Sequence, residues 1–196
     1  METVQNLQEY LTASSLKGLE VKIQSGELVI QAKLENLEDT VRFLKEDPEC
    51  WFRQLIDICG VDYPDRTPRF DVVYHFLSLK YNLRVRLIVS VEEGALVPSL
   101  TNQYRAAGWF EREVYDMYGV KFNHHEDLRR ILTDYHFDGH PLRKDFPLSG
   151  FTEVYYSKEQ ERVASRPVNL KEPFREFNFE SSWKGMKTVL AKGDEE

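Results

Sequence analysis

The chain has 196 residues, of which 41% are hydrophobic, and a formal net charge of −7. This length supports one well-buried core with an appendage rather than two ordinary domains. The acidic balance argues against nucleic acid as a partner, because phosphate binding requires a basic surface. The first 128 residues hold 14 Lys/Arg against 21 Asp/Glu, whereas residues 129–196 hold 12 of each, so the net acidity lies in the first part.

Cysteine usage and the N-terminus indicate the compartment. Cys50 and Cys59 stand nine positions apart without a CxxC motif, which predicts neither a disulfide framework nor a cysteine-ligated metal site. No stretch approaches the roughly twenty apolar residues of a membrane span, and the first residues resemble neither a secretory signal nor an Arg-rich transit peptide. We therefore expect the chain to work in the reducing compartment where it is made.

The first two thirds of the sequence alternate between helix and strand patterns. Helical spacing predicts a helix over 3–16 and another that follows Asn36 and ends at Pro48. Alternation of apolar and polar residues predicts a hairpin over 19–32, a third strand over 51–61 and a long hairpin over 70–91. A helix is expected over 98–107 with Gly108 breaking it, and then a second helix that Gly119 ends.

The pattern changes after residue 133. Prolines recur too often there for long helices, yet the aromatic content is too high for a disordered tail. Exposed aromatic rings are an aggregation hazard, so they must pack on this chain or on another protein, and the irregular pattern favours a partner. The aromatic residues concerned are Phe137, Phe146, Phe151, Tyr155, Tyr156, Phe174, Phe177, Phe179 and Trp183.

Together these patterns predict an α+β fold, in which helices cover one face of an antiparallel sheet and an extended C-terminal arm with little regular structure follows. The expected division is an α+β domain over residues 1–133 and a partner-wrapping arm over residues 134–196. Such an organisation is typical of a component of a larger complex.

Four histidines within seventeen residues suggest a metal site, which would require three or four converging ligands. A metal site would make the chain an independent metal-dependent hydrolase, which is the alternative to a component of a larger complex. His136 and His140 are four positions apart, which would place them on one face of a helix. Gly139 and Pro141 disfavour a helix here, so this spacing does not bring the two side chains together. We therefore favour hydrogen-bonding roles in an ordered loop for His124, His125, His136 and His140.

The predicted helix before Gly119 carries two glutamates that could form a catalytic pair. Glu111 and Glu113 are two positions apart, however, and such residues point some 200° apart on a helix. Arg112 and Asp116 are four apart and predict an ion pair on an exposed helix face, worth a few tenths of a kcal/mol. With no Gly-rich phosphate loop, GxSxG elbow or Cys/His nucleophile arrangement, no catalytic residue is expected.

Two basic pairs, Arg129 with Arg130 and Arg143 with Lys144, could bind phosphate or an anionic lipid. Each pair is short and stands among acidic residues. Salt bridges across a protein interface are therefore the preferred interpretation.

The stretch EREVYDMYGVKFNHHEDLRRIL (111–132) followed by GHPLRKDFPLSGFTEV (139–154) resembles the C subunit, the 30-kilodalton-type subunit, of the proton-pumping NADH:quinone oxidoreductase, respiratory complex I. The likeness extends through FREFNFESSW (174–183) and, less sharply, over the preceding domain. The stretch TDYHFDGHPLRKDFPL (133–148) is more similar to the alphaproteobacterial and mitochondrial branch than to the photosynthetic one. Glu126, where proline is frequent, and Tyr155, where a basic residue is expected, depart from the family pattern.

The resemblance implies a structural subunit of the peripheral arm without cofactor or metal of its own, since FMN and iron–sulfur clusters belong to partner subunits. It would clasp the neighbouring D subunit with its C-terminal segment and support electron transfer from NADH to quinone, coupled to proton translocation. Its expected place is the cytoplasmic face of a bacterial inner membrane, or the matrix face of the mitochondrial one, held there only through the complex. The residues expected at the partner interface are Glu111, Arg112, Glu113, Asp116, His125, Arg129, Arg130, Arg143, Lys144 and Asp145.

Overall fold

Most of the predicted helices and strands are present, in the predicted order. A computed structural model describes residues 3–14, 16 and 18–170. Its elements are α1 (Val4–Ala13), β1 (Glu20–Gln24), β2 (Glu27–Ala32), α2 (Leu37–Glu46), β3 (Gln54–Asp62), β4 (Phe70–Ser78), β5 (Leu83–Val91), β6 (Leu96–Pro98), α3 (Ala107–Tyr118), β7 (Lys121–Asn123), β8 (Thr152–Ser157) and β9 (Arg162–Pro167).

Five strands form the main sheet in the order β1-β2-β5-β4-β3. The β1–β2 and β4–β5 pairs are antiparallel, as the two predicted hairpins require, and the β3–β4 pair is antiparallel as well. The central β2–β5 pair is parallel, with Leu28 opposite Val85 and Ile30 opposite Leu87. The sheet is therefore mixed, and mostly antiparallel. This parallel join was not predicted, because alternation within a strand identifies its buried side but not its neighbour.

The α+β prediction is confirmed, with the core on one side of the sheet. Alternate residues of β5 are buried, whereas β4 is buried at every position from Phe70 to Tyr74 and alternates only beyond that. The apolar stripes of α1 and α2 belong to the same buried cluster. Tyr74, Phe76, Phe70 and Phe52 are among the largest fully buried side chains. The period-2 and helical patterns thus correspond to burial.

The segment 98–107 differs from its prediction. It forms turns, and α3 begins only at Ala107, with Gly108 as its second residue. Pro98 ends the short parallel pairing of β6 with β7, and the Leu100 amide donates to the Glu111 carboxylate at 2.7 Å. This bond and the β6–β7 pairing hold the segment as a turn that leads into α3. Gly119 ends α3 in the left-handed conformation with φ 79°, as predicted.

The chain divides into two compact units, residues 1–150 and 151–196. The second unit contains the antiparallel β8–β9 hairpin, in which Thr152 lies opposite Pro167, and which the sequence patterns did not predict. Phe174, Phe177, Phe179 and Trp183, which were expected to cover a partner, lie outside the described residues. No helix in the described part of the chain is long and apolar enough to cross a membrane.

Candidate functional site

Helix α3 carries a polar face that is largely buried. Glu111, Arg112 and Asp116 are buried, whereas Glu113 is exposed. The opposite orientation of Glu111 and Glu113 follows from the helical angle between them, as predicted. The predicted Arg112–Asp116 ion pair on an exposed face is wrong. The chain beyond β7 folds back over this face, and each side chain binds that returning loop instead.

The Asp116 carboxylate organises the returning loop. One oxygen accepts hydrogen bonds from three successive backbone amides, those of Ile131, Leu132 and Thr133, at 2.8–3.0 Å. The other accepts from the Thr133 hydroxyl and, at 2.7 Å, from the Arg130 guanidinium. Burial opposes ionisation, but the bonds from Thr133, Leu132 and Arg130 outweigh it and hold the Asp116 pKa well below its usual value. The side chain is therefore a buried anion that fixes the backbone at 131–133.

Arg112 binds the same loop as a hydrogen-bond donor, whereas Asp116 binds it as an acceptor. Its Nε donates to the Arg129 carbonyl at 3.0 Å, and its Nη2 donates to the Arg130 carbonyl at 2.9 Å. The guanidinium also lies 5.2 Å from the centroid of the exposed Trp109 ring. Arg112 and Asp116 thus satisfy carbonyls and amides of adjacent residues, so the loop is held from both sides. We call residues 129–133 the clamped loop.

Glu111 fixes the start of α3. Its two oxygens accept from the Ser99 hydroxyl and the Leu100 amide, both at 2.7 Å. Burial raises the Glu111 pKa, although these two bonds act in the opposite direction. His125 Nε2 lies 3.9 Å from the same carboxylate. Glu111 therefore joins the turn at 99–100 to the helix and lies beside the imidazole of the returning chain.

Two of the histidines are bound to backbone groups. His125 Nε2 donates to the Gly108 carbonyl at 3.0 Å, and its Nδ1 accepts from the Asp127 amide at 3.0 Å, which defines the neutral tautomer. His140 Nδ1 donates to the Asp116 carbonyl at 2.9 Å, and burial lowers its pKa. These roles agree with the ordered-loop interpretation. Among the described residues, no three His, Cys, Asp or Glu side chains are grouped to hold a metal ion.

A second buried ion pair fastens the chain at residues 143–145. Asp62 accepts two bonds from Arg69, at 2.7 and 2.9 Å, and a third from the Lys144 amide at 2.7 Å. The hydrogen bonds from Arg69 are the main reason that the Asp62 pKa is lowered, against the effect of burial. Arg69 also pairs with Asp145 at 3.0 Å. Arg143 donates to the Tyr118 carbonyl at 2.6 Å and pairs with Glu93, so this segment is joined to both the sheet and α3.

The clamped loop and its neighbours present apolar groups to solvent. Leu132 is 64% exposed and Tyr135 is 68% exposed, although the backbone beside them is held by buried bonds. Glu113 and Lys144 are exposed, and Arg129 pairs at the surface with Asp127 and Tyr135. Arg130 and Arg143, by contrast, are committed to Asp116 and Glu93 within the chain. The arrangement holds a shaped, partly apolar surface in place.

Several residues that build this site were missed by sequence analysis. Asp62, Arg69 and Glu93 lie 50 to 82 positions from the residues that they hold, and Ser99 was assigned to a helix. An isolated Asp at the end of a strand is too common to identify such a role. Thr133 stands within the quoted stretch 133–148, but the sequence does not indicate that both its hydroxyl and its amide bind Asp116.

The family model and the curated relatives agree on one family, and a solved structure shares the fold. Residues 30–152 match the family described as respiratory-chain NADH dehydrogenase, 30 Kd subunit. A chain of the membrane-bound sulfane sulfur reductase, an archaeal respiratory membrane complex, shares the fold, with a TM-score of 0.62 and 23% identity over 87% of this chain and 98% of that one.

Curated relatives are more similar. The C subunit of NADH-quinone oxidoreductase from Mesorhizobium japonicum is 56% identical over 173 residues, which cover 88% of this chain and 86% of the relative. The corresponding C subunit from Paramagnetospirillum magneticum is 50% identical over 197 residues, covering 99% and 98%. The chain therefore belongs to the 30 kDa subunit family of respiratory-chain NADH dehydrogenase, a peripheral-arm component of NADH:quinone oxidoreductase, complex I.

Proposed function

We propose that this chain is a structural subunit that carries no redox cofactor and supports electron transfer from NADH to quinone by holding neighbouring subunits in place. FMN and the iron–sulfur clusters reside in those partners, and proton translocation is coupled to the electron flow through them. The chain contributes shape and fixed contacts rather than a catalytic side chain. This role accounts for a site in which buried charges stabilise loops instead of converging on a substrate.

One observation carries the proposal: an exposed apolar surface stands on a backbone held by buried charges. Leu132 and Tyr135 are more than 60% exposed. Asp116 and Arg112 of α3 bind the backbone of the clamped loop beside them. An apolar contact on a rigid backbone loses little conformational entropy when it binds. Apolar and aromatic anchors of this kind are typical of the centre of a protein interface.

The ten predicted interface residues fall into two roles in this proposal. Glu113, Arg129, Lys144 and Asp145 are at the surface and contact the neighbouring subunit, which we take to be the D subunit of the complex. The others act from within the chain by positioning that surface. This second group comprises Glu111, Arg112, Asp116, His125, Arg130 and Arg143.

The C-terminal arm, residues 134–196, wraps the same partner. Its support is the β8–β9 hairpin, where Val154 and Val163 are 64% and 66% exposed and Tyr156 is 62% exposed. An isolated two-stranded hairpin is marginally stable in water. These three exposed side chains share one face, since Tyr156 lies opposite Val163, and such a face favours a covering partner. Through this clasp the chain is held at the cytoplasmic face of a bacterial inner membrane, as a peripheral component.

Truncation after Gly150 tests the clasp, because it removes the second unit and leaves the first complete. Co-expression with the other peripheral-arm subunits, followed by size-exclusion chromatography, should show loss of the truncated chain from the complex. Leu132→Asp should weaken association as well, whereas Leu79→Asp, which changes a leucine that is 74% exposed in the β4–β5 turn, should not. Full incorporation of both the truncated chain and the Leu132→Asp variant would contradict the proposal.

A further inference from the structure

A second surface lies outside the clamped loop and is basic. A cleft of about 700 Å³ opens between the end of α2, the start of β3 and the turn before α3. Lys45, Arg53 and Arg105 line it, with Glu46 as its single acidic residue. Residues 1–128 as a whole hold 14 basic and 21 acidic side chains, so the cleft is basic although the region that contains it is acidic. We call this surface the basic cleft.

The three cations of the basic cleft have no acidic partners within residues 3–14, 16 and 18–170. None of them forms an ion pair with a carboxylate there, although Arg42, Arg66, Arg69, Arg86, Arg129, Arg130, Arg143 and Arg166 all do. Other basic residues of the described chain, Arg84 and Lys121 among them, also have no carboxylate partner, so the distinctive feature is that three such cations line one cleft. Its positive charge is available to a ligand.

Two of the cations are already fixed in position. The Arg53 guanidinium lies 3.8 Å from the centroid of the Trp51 ring. Lys45 Nζ donates to the Gln103 carbonyl and lies 5.0 Å from the centroid of the Tyr104 ring. A solvated surface lysine or arginine usually remains mobile, and ordering it opposes binding. Here the fold supplies much of that order, and the Lys45 ammonium, which has three donors, keeps two for a ligand.

The chemistry between the cations fits a polypeptide better than a small anion. Leu55 and Ala106 provide apolar lining, and the amides of Gln54 and Gln103 provide neutral hydrogen-bonding groups. A polypeptide segment offers both apolar side chains and backbone hydrogen-bonding groups to such a lining, whereas a small anion offers only charge.

We propose that the basic cleft is a second docking site, which binds an acidic segment of a neighbouring subunit of the complex. This inference rests on the proposed structural role of the chain and assigns it a contact that uses none of the ten predicted interface residues. A partner that covered three unpaired cations without supplying carboxylates would incur a large desolvation cost. Complementary charge at such a site sets the salt dependence of association as well as its strength.

The test is the double variant Arg53→Glu/Arg105→Glu in the full chain, co-expressed with the other peripheral-arm subunits. Association should weaken by roughly tenfold or more and lose part of its dependence on salt concentration. The matched control is Arg84→Glu/Lys121→Glu, which changes the net charge equally at exposed positions away from the cleft. Arg53→Gln/Arg105→Gln should show a smaller loss in the same direction, and the unfolding midpoint of every variant establishes that it is folded.

Association of the cleft variant with the same strength and salt slope as the control would overturn the inference. If Leu132→Asp still weakened assembly in that case, the proposed function would stand and only the basic cleft would fail. Lys45 provides an independent readout. Its acetylation rate should fall when the complex assembles, and a carbodiimide should couple it to a carboxylate of another subunit. An unchanged rate, or equal protection of the free chain by inorganic phosphate, would contradict a polypeptide ligand.

Discussion

Replacing Asp116 with asparagine should release the clamped loop. The carboxylate is fully buried and accepts five hydrogen bonds, three from backbone amides, one from the Thr133 hydroxyl and one from Arg130. Asparagine keeps the size but offers a single oxygen. If that oxygen serves the three amides, the new NH₂ group faces the Arg130 guanidinium, and two donors then oppose each other.

The magnitude follows from the exposure of Arg130. Leaving one partner of a buried ion pair uncompensated costs about 3–5 kcal/mol. The Arg130 side chain is 16% exposed and retains its bond to the Gly139 carbonyl at 3.0 Å, so water and the backbone recover part of that loss. We therefore expect Asp116→Asn to lower the free energy of unfolding by about 2–4 kcal/mol, a large share of the 5–15 kcal/mol typical of a domain.

Urea unfolding measures that loss, and limited trypsin digestion locates it. Cleavage after Arg129 and Arg130 requires local opening of the loop, so the variant should be cut there faster than the wild type. Glu113→Gln is the matched control, since it makes the same chemical change at an exposed position of α3 and should stay within about 0.5 kcal/mol. An Asp116→Asn chain as stable and as resistant to trypsin as Glu113→Gln would refute the assigned role.

The pH dependence follows from the same carboxylate. Because the folded protein holds the Asp116 pKa below its ordinary value of 3.8, the contribution is complete above that value and is lost as the pH falls through the folded pKa. Glu111 contributes a pH dependence of stability in the opposite direction. Its raised pKa makes the folded chain favour the protonated form, so its contribution is present at low pH and is lost as the pH rises above 4.5. Asp116→Asn should therefore flatten the fall in stability below about pH 4, measured by urea titration.

The remaining predictions concern packing and the second ion pair. A Cβ added at Gly60 would stand 2.5 Å from the Tyr118 ring, whereas one at Gly108 would meet its nearest neighbour at 3.6 Å. Gly60→Ala should therefore lower the free energy of unfolding by about 1–3 kcal/mol. Gly108→Ala should be neutral or stabilising by up to about 1 kcal/mol, because alanine favours a helix. Equal unfolding midpoints for the two variants would contradict this. Asp62→Asn should leave Arg69 without its buried counter-ion and increase hydrogen exchange at the Lys144 amide; exchange as slow as in the wild type would show that the segment is held by other contacts.

The sequence was sufficient for most local structure, because periodicity reports burial directly. The hairpins around Gly26 and residues 79–82, the stripes of α1 and α2, and the Gly119 terminus follow from residue spacing alone. The pairing of β2 with β5 does not, because it joins strands about fifty residues apart and depends on how the whole sheet closes. The β8–β9 hairpin was missed for another reason: its valines and tyrosines are exposed on both faces, so no alternation marks a buried side.

The motif directed attention to α3 and the chain that follows it, but the burial of the charged residues there was not predicted. Arg112 and Asp116 have the spacing of a surface ion pair, and only the path of the returning chain shows that both are buried. The prediction of a helix before Gly108 was wrong for a similar reason, since residue spacing does not show the bonds from Ser99 and Leu100 to Glu111 that hold this segment against α3. The divergence of Glu111 and Glu113 was predictable because it depends on helix geometry alone. Long-range bonds, such as that from the Lys144 amide to Asp62, leave no sign in local spacing.

The central claim is that the chain presents a prepared apolar surface to a neighbouring subunit, and footprinting tests it most directly. Hydroxyl-radical oxidation of the isolated chain and of the assembled complex would compare the reactivity of Leu132, Tyr135 and Tyr156, all more than 60% exposed in the free chain, with that of Leu79 as the reference. We expect the first three side chains to become protected on assembly, while Leu79 does not. If Leu132, Tyr135 and Tyr156 each reacted as fast in the assembled complex as in the free chain, the claim would be contradicted.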